Sequence, residues 1–319
     1  PAQPPSPPAS PPPPALPPPP FMPEYVEELT FVGRHTLDAT WPEGAETALF
    51  GESVSLSGST LAVGAPDFNY NVDWARCVDF ACPDAISFDY PMSYCANAGA
   101  ALVYEWSDAA SENGWAPRGF IQAPNAGAND RFGKHVVVQN DTLIVSAFNE
   151  DSCTAWDTHA ATSGHVGSPS QSSSLCNNAG AVYVYRRIIS QYTGLSAWTF
   201  EAILKPYMSE PPMKYGLRFG EEAIALSGDT IAVGSKRETS CTQAVITNAA
   251  LASTTAGDGG NCADAGAVWI FRRDPSSAYG WRFDAYVKAP NARADAAFGG
   301  AVALAALQPH DPNGALLVV

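Results

Sequence analysis

Phe-Gly occurs at residues 50–51, 132–133, 219–220 and 298–299, and each occurrence opens the same pattern of sequence. A spacing of about 80 residues marks an internal repeat. One such unit cannot bury its apolar face alone and has to stack on its neighbours. After each Phe-Gly, apolar residues alternate with others: Val54 and Leu56, Val136 and Val138, Ile224 and Leu226. That period of two predicts a strand with one buried face. Short turns follow at Ser57-Gly58, Asn140-Asp141 and Ser227-Gly228-Asp229, built from residues that tolerate positive φ. The second strand of each unit reads Leu61-Ala62-Val63, Leu143-Ile144-Val145 and Ile231-Ala232-Val233. A long cysteine-bearing loop separates it from a third strand at 100–104, 181–185 and 267–271. The fourth begins near Trp115, Trp198 or Trp281 and runs to Pro124, Pro206 or Pro290.

Four antiparallel strands per unit at fixed spacing predict an all-β chain, specifically a β-propeller of four-stranded blades. Stacked sandwiches are the alternative, and they rarely repeat so uniformly. The Phe of Phe-Gly is expected between units, and the Gly is expected to let neighbouring backbones approach closely. Both roles are structural. Antiparallel order places the second-to-third-strand loops and the inter-unit linkers on one side, with the tight turns on the other.

The wording also resembles a family. Phe-Gly, the short turn, Val63-Gly64-Ala65-Pro66 and the Ala-Gly-Ala that precedes each third strand resemble FG-GAP repeats, as in integrin α-like propellers. The resemblance runs from about residue 28 to residue 319. It weakens at the Gly-Ala-Pro step, which reads Ser146-Ala147-Phe148 and Gly234-Ser235-Lys236 in the next two units. It implies a propeller fold and leaves function open, because function sits in sites grafted onto folds. Many such repeats hold calcium in the turn between the first two strands. The turns here are too short to wrap an ion, and Gln308–Gly314 offers one carboxylate, so no metal site is expected.

The organisation expected is a proline-rich arm at 1–23 and a propeller over 24–319. Blade cores fall at about 50–124, 132–206 and 219–290, with a partial one at 298–319. Residues 29–42 match the fourth strand of later units, because Pro42 stands before Phe50 as Pro124 stands before Phe132. The chain is therefore read as part of a longer protein. Pairing with a second copy, or a small four-bladed ring, are the alternatives.

Residues 1–23 hold half of the 28 prolines. Such a run adopts polyproline II, at about 3.1 Å per residue. Its Ser-Pro-Pro and Pro-Pro-Pro-Pro runs resemble the hydroxyproline-rich glycoproteins of green algal and plant cell walls. That resemblance implies hydroxylation and O-linked sugars at Pro4, Pro5, Pro7, Pro8, Pro11, Pro12, Pro13, Pro14, Pro17, Pro18, Pro19 and Pro20, with Ser6 and Ser10. The plain reading of the same run is a spacer.

Seven cysteines suggest an oxidising compartment. Cys95, Cys176 and Cys262 each stand four residues before the Gly of Ala-Gly-Ala, and Cys153 and Cys241 stand just after second strands. The natural pairs are Cys153–Cys176 and Cys241–Cys262, with Cys95 joined to Cys77 or Cys82. Metal binding is the alternative, given His159 and His165, but no Cys-x-x-Cys spacing supports it. Asn140-Asp141-Thr142 is the only N-glycosylation sequon, at an expected hairpin tip. The serine-rich stretch from Ser168 to Ser174 is expected to form a loop tip.

A net charge of −15 argues against nucleic acid and anionic membranes as partners. The longest apolar runs are strand-sized, so no membrane insertion is expected. There is no G-x-S-x-G, no H-E-x-x-H and no phosphate loop, and the histidines are scattered. We expect no enzyme, no cofactor and no catalytic residue. The aromatic residues Tyr70, Trp74, Phe80, Phe88, Tyr90 and Tyr94 either contact a partner or form a small core for their own loop. The function expected is that of a structural subunit of an extracellular glycoprotein assembly: a fibril, surface appendage or cell-wall layer. Its partners would be further copies of itself or matrix glycoproteins, carrying covalent glycans. The alternative is a cell-adhesion or ligand-binding ectodomain acting as a discrete propeller.

Overall fold

A computed structural model describes residues 48–71, 94–106, 114–152, 166–167, 176–189, 196–206, 216–247, 262–306 and 315–318. The proline arm, the strand read at 29–42 and the loop at 308–314 lie outside them. Among the described residues there is no α-helix, and so no helix long and apolar enough to cross a membrane.

Three antiparallel sheets follow one another along the chain. The first is built from β1 (Val54–Ser57), β2 (Thr60–Ala65), β5 (Ala100–Trp106) and β6 (Trp115–Ile121), in that spatial order. A small hairpin of β3 (Tyr70–Asn71) and β4 (Tyr94–Cys95) lies between β2 and β5 in the chain. The second sheet contains β7 (Phe132–Gln139), β8 (Thr142–Ala147), β9 (Val166–Gly167), β10 (Ala181–Ile189) and β11 (Ser196–Leu204), in the order β7-β8-β10-β11-β9. The third repeats this with β12 (Ile224–Ser227), β13 (Thr230–Ser235), β14 (Val245–Ile246), β15 (Ala267–Arg273) and β16 (Trp281–Val287). A further hairpin pairs β17 (Ala303–Ala306) with β18 (Ala315–Val318).

The four strands read in each unit are all present. The second and third sheets each add a short fifth strand on the outer edge, drawn from the cysteine-bearing loop. Two-residue segments carry no periodicity, so the sequence pattern does not reveal them. Each first hairpin closes through a two-residue turn, and Gly58, Asn140 and Gly228 take φ of 57°, 52° and 55° at its first position. A bulge recurs at one place in every fourth strand, where Arg118, Glu201 and Asp284 are the extra residues opposite the third strand. A bulge raises the local twist of its strand, and its place is the same in all three sheets.

The sheets stack in one sense. Small residues on one face receive large ones from the next sheet. Ala62, Ala101 and Val103 of the first sheet pack against Leu143, Val145, Tyr183 and Tyr185 of the second. Ile144, Val182 and Val184 of the second receive Ile231, Val233, Trp269 and Phe271 of the third. Ala232, Val268 and Ile270 of the third meet Val302, just before β17, and Leu304 within it. Every residue of β2, β8 and β13 is buried, because both faces of each second strand are covered. Full burial of a large side chain contributes about 1.5–3 kcal/mol, so these inter-sheet layers dominate the stability of the stack.

Phe-Gly is the joint between units. Phe132 and Phe219 are fully buried. Phe132 meets Tyr183 edge-on at 5.3 Å, and Phe219 meets Trp269 at the same distance. The following Gly133 has φ 95°, and a Cβ there would overlap the Ala100 carbonyl of the preceding sheet. A Cβ on Gly64 would in turn overlap the Gly133 carbonyl. Both glycines are required by backbone-to-backbone approach between sheets.

Candidate functional site

The cysteine-bearing loops and the inter-unit linkers share one side of the stack, and the backbone shows why. The linker amides of Asn129 and Arg131 donate to the carbonyls of Ala96 and Asn97, at 2.7 and 3.0 Å. Gly216 and Arg218 donate to Asn177 and Asn178, and Asp295 and Ala297 donate to Ala263 and Asp264. Each linker is thereby seated on the turn just after a cysteine. Cys241 and Cys262 form a disulfide with Cα atoms 5.2 Å apart, closing the third loop at its base. Cys176 is buried and disulfide-bonded. Cys77, Cys82 and Cys153 lie outside the described residues, as do the side chain of Cys95, His159, His165 and the residues from Ser168 to Ser174. Of the loop aromatics, Tyr70 and Tyr94 are described by backbone alone, and Trp74, Phe80, Phe88 and Tyr90 lie outside.

Beneath this side run buried charges that the sequence reading did not pick out. Glu150 and Lys205 form an ion pair within the second sheet, and both side chains are almost wholly buried. Glu238 and Lys288 repeat it in the third. Asn125 Nδ2 donates to Glu150 Oε1 at 2.8 Å, and the Tyr183 hydroxyl donates to Asn125 Oδ1 at 2.7 Å. Glu150 therefore has a partner on each oxygen, as a carboxylate out of water requires. The signal was present: a Glu stands five residues after Val145 and after Val233, and a Lys shortly before Pro206 and Pro290. The first sheet departs from it. Phe68 carries the same backbone bond, from Gly99 N at 3.0 Å, that Glu150 and Glu238 accept from Gly180 and Gly266 at 2.9 Å. There the ion pair is replaced by a buried Phe68, with Gln122 at the lysine position.

Asp130 adds a second carboxyl to this network. It is buried, and its Oδ2 accepts from Gly127 N at 2.7 Å. Desolvation, reinforced by the nearby Glu150 carboxylate, pushes its pKa well above the usual carboxylate range. Burial pushes the Tyr183 phenol up as well. The network joins a linker to the sheet below it and so ties the two together.

No family model matches the chain, and no curated protein matches it.

On the opposite side, Asn140 occupies an exposed turn, as the sequon requires. Inter-sheet arginines lie around it. Arg187 Nε donates to Asp141 at 2.8 Å, and its Nη1 donates to Glu105 of the first sheet at 3.3 Å. Arg273 occupies the same position in the third sheet. It pairs with Glu201 and donates to Thr142, both in the second sheet, at 3.0 and 2.9 Å, and lies 4.4 Å over the Trp281 ring. Among the described residues no group of three or more His, Cys, Asp or Glu is placed to hold a metal ion. His135, half-buried with its pKa held down mainly by desolvation, donates from Nε2 to the Glu221 carbonyl at 2.8 Å. That contact joins the second and third sheets.

One face breaks the pattern of covered sheets. Val54 and Leu56 are each 58% exposed, although Val136, Val138, Ile224 and Leu226 at the same positions are buried. Leu49, Trp106 and Phe120 are exposed as well.

Proposed function

We propose that this chain is a structural subunit of an extracellular glycoprotein assembly, built on an FG-GAP-type β-propeller and joined to its surroundings through the proline-rich arm. The observation that carries this reading is the one-way stacking of like sheets. Each joint is fixed by a Phe-Gly pair, fully buried at Phe132 and Phe219, by close glycine contacts and by a seated linker, which makes a stiff unit. Rigid units that present unlike ends propagate when the contact does not close. The disulfide at the loop base, the exposed sequon at Asn140 and the run of prolines fit a secreted, glycosylated protein. We assign the protein no catalytic role.

The loop-and-linker side favours a second reading, a discrete adhesion ectodomain. A disulfide-closed loop seated on a rigid frame suits partner binding. Electron microscopy of the native secreted material separates the two. Filaments or sheets with a regular repeat are expected; dispersed single discs would favour adhesion. Deleting residues 1–23 is expected to abolish assembly while leaving the propeller folded, and assembly that persists would remove the arm from the mechanism.

A further inference from the structure

Lys205, Glu150, Asn125 and Tyr183 form one unbroken chain of polar contacts out of water. Lys205 Nζ is paired with Glu150 Oε2, and the two side chains are 0% and 2% exposed. Asn125 Nδ2 donates to Glu150 Oε1 at 2.8 Å, and the Tyr183 hydroxyl donates to Asn125 Oδ1 at 2.7 Å. Asn125 and Tyr183 are buried as well. A carboxylate only accepts, so it is the amide nitrogen that faces Glu150 and the amide carbonyl that faces the phenol. One carboxylate thus holds an amine and a carboxamide on its two adjacent oxygens.

The third sheet shows a simpler way to hold the same ion pair. Glu238 Oε2 meets Lys288 Nζ, and Glu238 Oε1 accepts the Ser240 backbone amide at 2.9 Å. A backbone amide there fills the place that the Asn125 side chain fills in the second sheet. Asn125 comes instead from the linker between β6 and β7, and Lys205 directly follows β11.

We infer that Lys205 and Asn125 become joined by an isopeptide bond, formed once inside the folded protein with Glu150 as proton carrier. Glu150 takes a proton from the Lys205 ammonium, and the free amine attacks Asn125 Cγ. The Tyr183 hydroxyl meets the negative charge that develops on Oδ1 as the carbonyl opens. Burial raises the pKa of that phenol, which keeps its proton in place for the task. Glu150 then passes its proton to Nδ2. The Cγ–Nδ2 bond breaks and the Cγ–Nζ amide remains. Nζ gives up two protons in all, and both reach the departing nitrogen, which leaves as ammonium. Glu150 ends as the carboxylate it was, and no oxidant or further reactant is needed. The burial of all four groups excludes the water that would compete with the amine. Lys205 and Asn125 are consumed in a single event, so the protein gains a modification and no turnover. The bond would close a long covalent loop from the first linker to the end of the second sheet, restricting the unfolded chain as a disulfide does but resisting reductants. The inference is independent of whether the protein assembles or acts singly.

The test is peptide mapping of the full chain by mass spectrometry, after reduction, denaturation and proteolysis. The parent is expected to yield a branched peptide joining Asn125 to Lys205, lighter by one ammonia than the two linear peptides together. A parent that yields only the two linear peptides would overturn the inference, whatever the variants do. Lys205→Arg keeps the cation but offers no primary amine, and is expected to yield no branched peptide. Glu150→Gln keeps the shape of the group but cannot carry the proton, and is expected to lose the bond or form it at least about tenfold more slowly. Circular dichroism checks that both variants fold. A folded Glu150→Gln protein that links as fast as the parent would overturn the role given to the carboxyl.

Discussion

The Ser55 hydroxyl of β1 accepts the Val138 amide of β7 at 3.0 Å, linking two sheets through a side chain rather than a strand ladder. Ser53 and Ser57 do the same for Val136 and Asn140, at 3.0 and 3.1 Å. β7 is the edge of its own sheet, and these serines satisfy its outward amides. An edge capped in this way offers no template for pairing with other chains. The next joint uses the device once, where Gln139 Oε1 accepts from Gly228 N at 2.7 Å.

Replacing Ser55 with Ala leaves the Val138 amide without its acceptor at a buried position. The expected cost is about 1–3 kcal/mol, the desolvation penalty of an unmade hydrogen bond. Ser57→Ala, whose partner Asn140 is exposed to water, is expected to cost less. Chemical denaturation of the two variants measures the difference, and equal losses would show that the hydroxyls do not cap buried donors.

Glycine is demanded at position 133 for a different reason than at 58. Both have positive φ, which alone costs a residue with a Cβ about 1–2 kcal/mol. At Gly58 a Cβ meets open space, whereas at Gly133 it overlaps the Ala100 carbonyl of the preceding sheet. Gly58→Ala is expected to lose only the conformational penalty. Gly133→Ala is expected to lose several times that, or to fail to fold. Comparable melting temperatures for the two variants would contradict the close joint between sheets.

The four-strand unit and the joint at Phe-Gly were legible because both leave a repeating mark. Val136, Val138 and their counterparts alternate, and Phe132 and Phe219 recur at fixed spacing and are buried as expected. The fifth strands, β9 and β14, were not legible, because two residues joining an edge show no period. The buried pairs were missed for a physical reason. Glu150 and Lys205 stand 55 residues apart in sequence, and each alone reads as a surface charge. Only the antiparallel return of the chain brings them together. The exposed stripe of β1 was equally hidden, since Val54 and Leu56 carry the same pattern as their buried counterparts. Exposure depends on what lies beside the sheet.

The first sheet supplies a design for removing the buried ion pair. Lys205→Met alone strands the Glu150 carboxylate out of water and is expected to cost about 3–5 kcal/mol. The double variant Glu150→Phe with Lys205→Gln reproduces the Phe68 and Gln122 solution of the first sheet, and leaves no charge stranded. It is expected to be more stable than Lys205→Met. A double variant that is worse than both of its component singles would show that the second sheet cannot take the apolar solution.

Asp130 gives the protein a pH dependence of unusual sign for a carboxylate. Its pKa is raised in the folded state by desolvation and then by the Glu150 charge, with Gly127 N opposing. In the unfolded chain the same carboxyl titrates near its ordinary value of about 3.9. Between these two values the folded state holds a proton that the unfolded chain has released. Stability therefore falls as pH rises through this window, by the linkage between proton binding and folding. Carboxylates held low, such as Glu52 beside Lys134, act in the opposite direction and are lost on acidification. Asp130→Asn removes the titration while keeping the shape of the group, and Leu217, which stands at the same place in the next linker, is itself buried there. The variant is expected to gain stability relative to the parent, with the gap widening from about pH 4 toward neutrality. Denaturant melts of both proteins across that range measure the gap. A gap that stays constant with pH would mean that Asp130 ionises in the folded protein as it does in water.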